Sequence, residues 1–405
     1  MKVLKLSLSL FLAYSLYANE NNADLDTYIS DLKKTTFSYE YQKNEAESSK
    51  LRDSWIAPLQ LNYSYSRSKP FADELTNKNA AIKMDQPIFQ SGGIYYGIKY
   101  ANASKRYSDY SVDVAKRKMI KDAVALLMQI KQASLREEKQ QLQIENAEIN
   151  LAQKKEQYLN GQLDSGFLDN AIIQRNVVIS TLYDIQTSKE RLITTFQTLS
   201  DLDYREAKIP HLELLSAEDF LKHNIVLKQN RAAQEKQRYF KNVTIAKYLP
   251  KVNLTAGYNW SESEQQFSDQ VKFTNSLSYY DYGIRASLPL DINVFRDIES
   301  AKVDFLKAQV VWKDKKRELK ALFEQVLHNI ENFNKKIGLS EENRKIYAKL
   351  LSDTEELFQA GYKTQYDVDT LKNSLKIQKI DSKIYEIDKQ LELLNLYEMY
   401  VNEGK

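Results

Sequence analysis

Apolar residues near the C-terminal end of this chain recur every seven positions. Ile377, Ile384 and Leu391 form one series, and Ile380, Ile387 and Leu394 a second, three places on. Two such series line one stripe of a helix and form the seam along which it lies on a partner helix. Upstream, residues 301–357 are mostly Lys, Glu, Gln, Ala, Leu and Val, all acceptable inside a helix. Gly361 separates the two stretches, at a place where a helix can end in a left-handed residue. The pattern predicts a long helix, a tight turn and a helix coming back.

The same object is predicted earlier in the chain. Ala101 and Gly161 stand in the relation of Ala301 and Gly361, with a long helix expected over about 95–159 and a return to about Leu199. Upstream of each hairpin the period changes from seven to two. Leu61, Tyr63 and Tyr65 alternate with Asn62, Ser64 and Ser66, and Ile82, Met84 and Ile88 with Ala81, Lys83 and Asp85. In the second half Val252 to Trp260 and Tyr280 to Leu288 alternate in the same manner. These runs predict strands over about 56–67, 79–89, 250–262 and 277–290, with a polar loop near Ser261–Ser276. Short entry helices are expected over 24–53 and Ala217–Tyr248. The order (proline, strands, proline, long helix, glycine turn, long helix) occurs twice. It divides the chain into a repeat over 19–205, with its hairpin tip at 160–167, and a repeat over 206–405, with its tip at 360–367. Mainly helical architecture with a small β part follows.

Composition narrows this reading. Ten glycines and six prolines are few for 405 residues and favour long unbroken helices. The net charge of +3 supplies no electrostatic case for nucleic acid. Residues 1–18 have a basic start, an apolar middle and a small final residue, the form of a secretory signal peptide, with cleavage expected after Ala18 or Ser15. No cysteine is present, so neither disulfides nor an N-terminal lipid anchor is expected.

Candidate chemistry is sparse. Gly92, Gly93 and Gly97 match neither common phosphate-loop spacing and are read as a strand-to-helix bend. His211, His223 and His328 are scattered without ligand spacing, so no metal, no cofactor and no enzyme is expected. The alternating runs have the length of transmembrane strands, with tyrosine and tryptophan at their ends. Open sheet edges are not tolerated in lipid, and four strands are too few to close a barrel. Identical neighbours would close it, so a ring-forming oligomer is expected. A periplasmic adaptor or a coiled-coil scaffold is the alternative; an adaptor would have one hairpin flanked by compact β domains.

The chain resembles the TolC family of outer-membrane efflux proteins. The resemblance rests on Asp85-Gln-Pro-Ile-Phe89, Ser287-Leu-Pro-Leu290, Ala101, Ala301 and the turn Leu357-Phe-Gln-Ala-Gly361-Tyr-Lys-Thr-Gln-Tyr-Asp367-Val368. It implies a homotrimer with a 12-stranded outer-membrane β-barrel in lipid, continued by a periplasmic α-helical tunnel. It also implies a periplasmic adaptor (membrane fusion protein) and an inner-membrane pump of RND, ABC or MFS type as partners. By resemblance, Asp367 and Lys363 would form the periplasmic gate, with Asp369, Asp169 and Asp164 as further acids. Gly161, Gly361, Thr364 and Val368 would lie on the tips that meet the adaptor. Phe167 stands where relatives often carry a carboxylate. The short join between the halves and the end at Lys405 are expected to leave a reduced belt around the tunnel.

Overall fold

The computed structural model describes residues 25–69, 74–268 and 271–401; the expected signal peptide lies outside them. Entry helix α1 (Asp31–Arg52) leads into β1 (Gln60–Ser68) and β2 (Glu74–Phe89), and then into α2 (Gly93–Leu159) and α3 (Ser165–Leu199). A join follows, then α4 (Ala217–Lys222), α5 (Ile225–Lys247), β3 (Lys251–Ser268), β4 (Val271–Ser287), α6 (Val294–Gln359) and α7 (Gln365–Tyr397). At 1.5 Å per residue, the 67 residues of α2 span about 100 Å.

Three differences from the sequence reading have physical causes. The second entry helix is broken in two, because Asn224 leaves helical geometry to cap α5, accepting from the amides of Val226 and Leu227 at 3.0 and 3.1 Å. Within the span expected as a polar loop, Ser261–Ser276, residues 261–268 and 271–276 are instead strand: β3 and β4 continue to the pair Ser268↔Val271. Polar side chains on both faces hid that extension, since the backbone ladder needs no apolar face. The last helix ends at Tyr397, and Tyr400 forms an antiparallel bridge with Asn224.

The four strands form one antiparallel sheet in the order β1-β2-β3-β4. Pro87 lies in β2 beyond the last residue paired with β1, Lys83, and beside a register shift between Pro87 and Phe89, the kind of place where a strand tolerates proline. The buried core lies where the middles of α2 and α6 meet the C-terminal ends of α3 and α7. Leu127, Met128 and Ile130 of α2 meet Phe196, Val326 and Leu394 there. The join packs into the same cluster through Leu212 and Phe220, whose ring stacks on Phe323 at 5.6 Å. Buried Gln390 holds the join from α7: its Oε1 accepts from the Leu212 amide at 2.8 Å, and its Nε2 donates to the Leu212 carbonyl at 3.4 Å.

Candidate channel wall and periplasmic tips

The sheet has no solvent-shielded face. Leu61, Ile82, Tyr258 and Tyr280 are opposed in turn and make one apolar row across all four strands. Tyr282 and Ile284, on the same face of β4, are 80% and 73% exposed. Along β3 this face runs from Val252 to Trp260, roughly 27 Å at about 3.4 Å per residue. Tilted as barrel strands are, it spans on the order of 20 Å, near the height of a membrane band. Charge begins one row further on, where Lys78 pairs with Glu262 at 2.8 Å.

The other face is polar and internally bonded. Asp85 accepts from Asn253 Nδ2 at 2.7 Å and from Arg285 Nη1 at 3.0 Å, linking β2, β3 and β4. Asp281 accepts from Asn259 at 2.7 Å and lies over Gly257, where an added Cβ would come within 2.8 Å of its Oδ1. Sequence alternation puts these residues on the polar side of their strands, but their partnerships needed the strand register.

At the other end of the helices, both hairpin tips are built alike. Gly161 has φ 71° and Gly361 φ 80°. In each, the following amide reaches back to close the helix end: Gln162 N to Gln157 O, and Tyr362 N to Leu357 O, both at 2.8 Å. A Cβ at either glycine would meet nothing within 4 Å, so backbone conformation alone demands glycine there. Tyr362 stands 80% exposed on the second tip, and Phe167 56% exposed on the first.

Two of the four acids expected at a gate, Asp164 and Asp367, belong first of all to helix caps. Asp164 caps α3, accepting from Gly166 N and Ser165 Oγ at 3.1 Å, and these bonds lower its pKa. Asp367 accepts from the Thr364 amide at 3.0 Å and from its hydroxyl at 2.9 Å, while Thr364 Oγ1 receives the Asp367 amide at 3.3 Å. This is a reciprocal capping box, and the Thr-Gln-Tyr-Asp spacing is its signature in the sequence. Those bonds to Thr364 hold Asp367 below the usual carboxylate range, with a smaller pull from Lys363. Asp369 accepts from Gln365 at 2.8 Å, and Asp169 is exposed on α3. Val368 is 2% exposed, packed inside the hairpin, so it supports the tip from beneath and offers no docking surface. Thr364 stays on the surface, beside Gly361.

Among the described residues no His, Cys, Asp and Glu cluster could hold a metal ion. No helix there is long and apolar enough to cross a membrane.

Comparison with known proteins agrees with this geometry. Residues 217–399 match the family model described as outer membrane efflux protein. The outer membrane protein VceC from Vibrio cholerae superposes with a TM-score of 0.71 at 15% identity, over 93% of this chain and 96% of that one. The Campylobacter jejuni CmeC outer membrane channel gives 0.71 at 12% identity, over 97% and 93%. The Neisseria gonorrhoeae MtrE outer membrane channel, in its open state, gives 0.64 at 12% identity, over 93% and 87%. No curated protein matches by sequence. The matched family is one of outer membrane efflux proteins, and CmeC and MtrE are outer membrane channels. Residues 217–399 match by sequence the outer membrane efflux protein family, and the described chain carries the fold of the VceC and CmeC outer membrane proteins.

Proposed function

We propose that the protein is the exit duct of a tripartite efflux or type I secretion system. The observation that carries this is a four-stranded sheet with a membrane-height apolar band, whose outer strands β1 and β4 have no further partner among the described residues. Unpaired backbone groups in lipid cost several kcal/mol each. Three copies joined edge to edge make a closed barrel of about twelve strands, large enough for a lumen. The two halves, 19–205 and 206–405, then act as structural repeats, each giving two strands to the barrel and one hairpin to the tunnel. The polar face carrying Asp85 and Arg285 lines the lumen.

Substrate enters from an inner-membrane pump of RND, ABC or MFS type through a periplasmic adaptor. The adaptor seats on the tips at Gly161 and Gly361, against the exposed Phe167 and Tyr362. Asp367, with Asp369, Asp169 and Asp164, rings the entrance, and three copies of each carboxylate favour cations there. Lys363 contributes to the closed state. Conductance of the purified protein in planar bilayers tests this. We expect small, cation-selective steps from a trimer, larger ones after Lys363→Ala, and reduced selectivity after Asp367→Asn. A trimer that inserts with unchanged conductance in both variants removes the pair from the gate. A protein that never inserts overturns the duct.

A further inference from the structure

The sheet exchanges its apolar and polar faces along β4. From Tyr280 to Ala286 the apolar residues hold even-numbered positions, on the face of Tyr258 across the pair. Nearer the start of the strand the phase reverses. Val271, Phe273, Leu277 and Tyr279 hold odd-numbered positions and are 55%, 64%, 55% and 51% exposed, while Lys272, Thr274, Ser276 and Ser278 alternate with them. No register shift intervenes, because β3 and β4 pair without interruption from Lys251↔Ser287 to Gln266↔Lys272. The stripe therefore lies on the face of Asp281 and Arg285, opposite the membrane-height band. Leu75 of β2 joins it, in one row with Gln265 and Phe273.

The other face changes in the reverse sense. Beyond Trp260 it carries ion pairs: Lys78 with Glu262 at 2.8 Å, Lys272 with Glu264 at 2.5 Å, and Arg67 with Glu74. Such pairs suit water or polar headgroups and are costly in hydrocarbon, so this outer third of the sheet stands beyond the apolar band. There the stripe has no lipid to meet, and its own sheet leaves it exposed.

We propose that the outer ends of the β3 and β4 strands lean across the exit, so that the stripes of three copies pack on one another around the axis and narrow it. This rests on the closed barrel above, which turns the face of Asp281 and Arg285 to the lumen. In that ring the lasting surface opposite the stripe is the same stripe of another copy. The reach suffices. Twelve strands about 4.8 Å apart, tilted by about 40°, make a ring of radius about 12 Å. From Ser261 to Ser268, β3 rises roughly 24 Å at about 3.4 Å per residue. Packing the stripes removes apolar surface from water, which favours the leaning form, while the ion pairs stay outside and wet. The exit thus has a constriction of its own, apart from the acids at the periplasmic tips.

The chain has no cysteine, and Asn275 lies on the striped face between Phe273 and Leu277, so Asn275→Cys probes the packing without removing it. In an upright barrel three copies of residue 275 stand about 20 Å apart, out of reach of a short bismaleimide. We expect that reagent to convert most of the Asn275→Cys trimer to covalent dimer on a denaturing gel. Thr274→Cys, on the outer face, should run as monomer. Adding Phe273→Ser and Leu277→Ser to Asn275→Cys should cut the dimer several-fold, and a dimer that survives both serines overturns the apolar packing. Oligomer mass by light scattering separates the constriction from the ring. A trimer without the Asn275→Cys dimer overturns the constriction and leaves the duct standing. If its cysteine then reacts faster with N-phenylmaleimide than that of Thr274→Cys, the stripe serves apolar cargo instead. A monomer overturns both.

Discussion

Single residues at the tips owe their conformation to chemistry within a few positions of themselves. Asp367 is anchored by Thr364, which makes the acid a cap before it is a gate. Its lowered pKa means that its cap is in force above the ordinary carboxylate value of about 3.9 and is lost as pH falls through the lower folded value. Thr364→Ala should remove the hydroxyl's share of that shift while the backbone amide keeps its own, and weaken the first turn of α7 by about 1 kcal/mol. Hydrogen exchange of the amides of residues 365–368 should then be several-fold faster at neutral pH, whereas Lys363→Ala should leave it near the parent rate. At Gly361 the surrounding space is open, so Gly361→Ala should cost only the left-handed backbone term, about 1 kcal/mol, and still assemble. A bulky residue there should leave the oligomer intact and abolish export in cells, because it projects into the seat proposed for the adaptor.

Elements are secured where their ends or edges would otherwise leave backbone groups unpaired. Ser30 N donates to the Leu199 carbonyl and Ile225 N to that of Met399, both at 2.8 Å, so each entry helix is tied to the end of a returning one. The join depends in the same way on Gln390, whose amide serves both backbone groups of Leu212. Gln390→Leu keeps the volume and strands that pair, at a cost of about 1–3 kcal/mol. A lower thermal midpoint and earlier proteolysis within 201–216 would show it, and an unchanged midpoint would mean water replaces the amide. In the sheet, Gly257→Ala should push Asp281 off its hydrogen bond to Asn259, a cost of about 1 kcal/mol that Asp281→Ser in the same chain should largely remove.

For the whole molecule, charge in the barrel lumen should register in conduction. Asp85 and Arg285 neutralise each other across β3. In the proposed trimer, Arg285→Ala should leave one uncompensated carboxylate per copy on the polar face and shift the reversal potential in a salt gradient toward cations. An unchanged potential would place that face away from the ion path.

The heptad and alternating periods, the two glycine turns and the change from period two to period seven were legible in the residues, because each reflects a preference that acts within one or two turns of chain. They determined helices near 100 Å long, a paired set of strands with one apolar face, and the succession that repeats at Gly161 and Gly361. The full reach of β3 and β4 was not legible, since polar residues on both sides of Ser261 carry no periodic signal. Nor was the break at Asn224, which is held by a buried contact with the distant end of the chain at Tyr400. The Asp85–Arg285 link depends on strand register, and the burial of Val368 depends on how one helix lies on the other. These are pairings between residues far apart in sequence, where a shift of one position exchanges the faces of a strand or turns a helix by about 100°, so they were settled by packing across the folded chain.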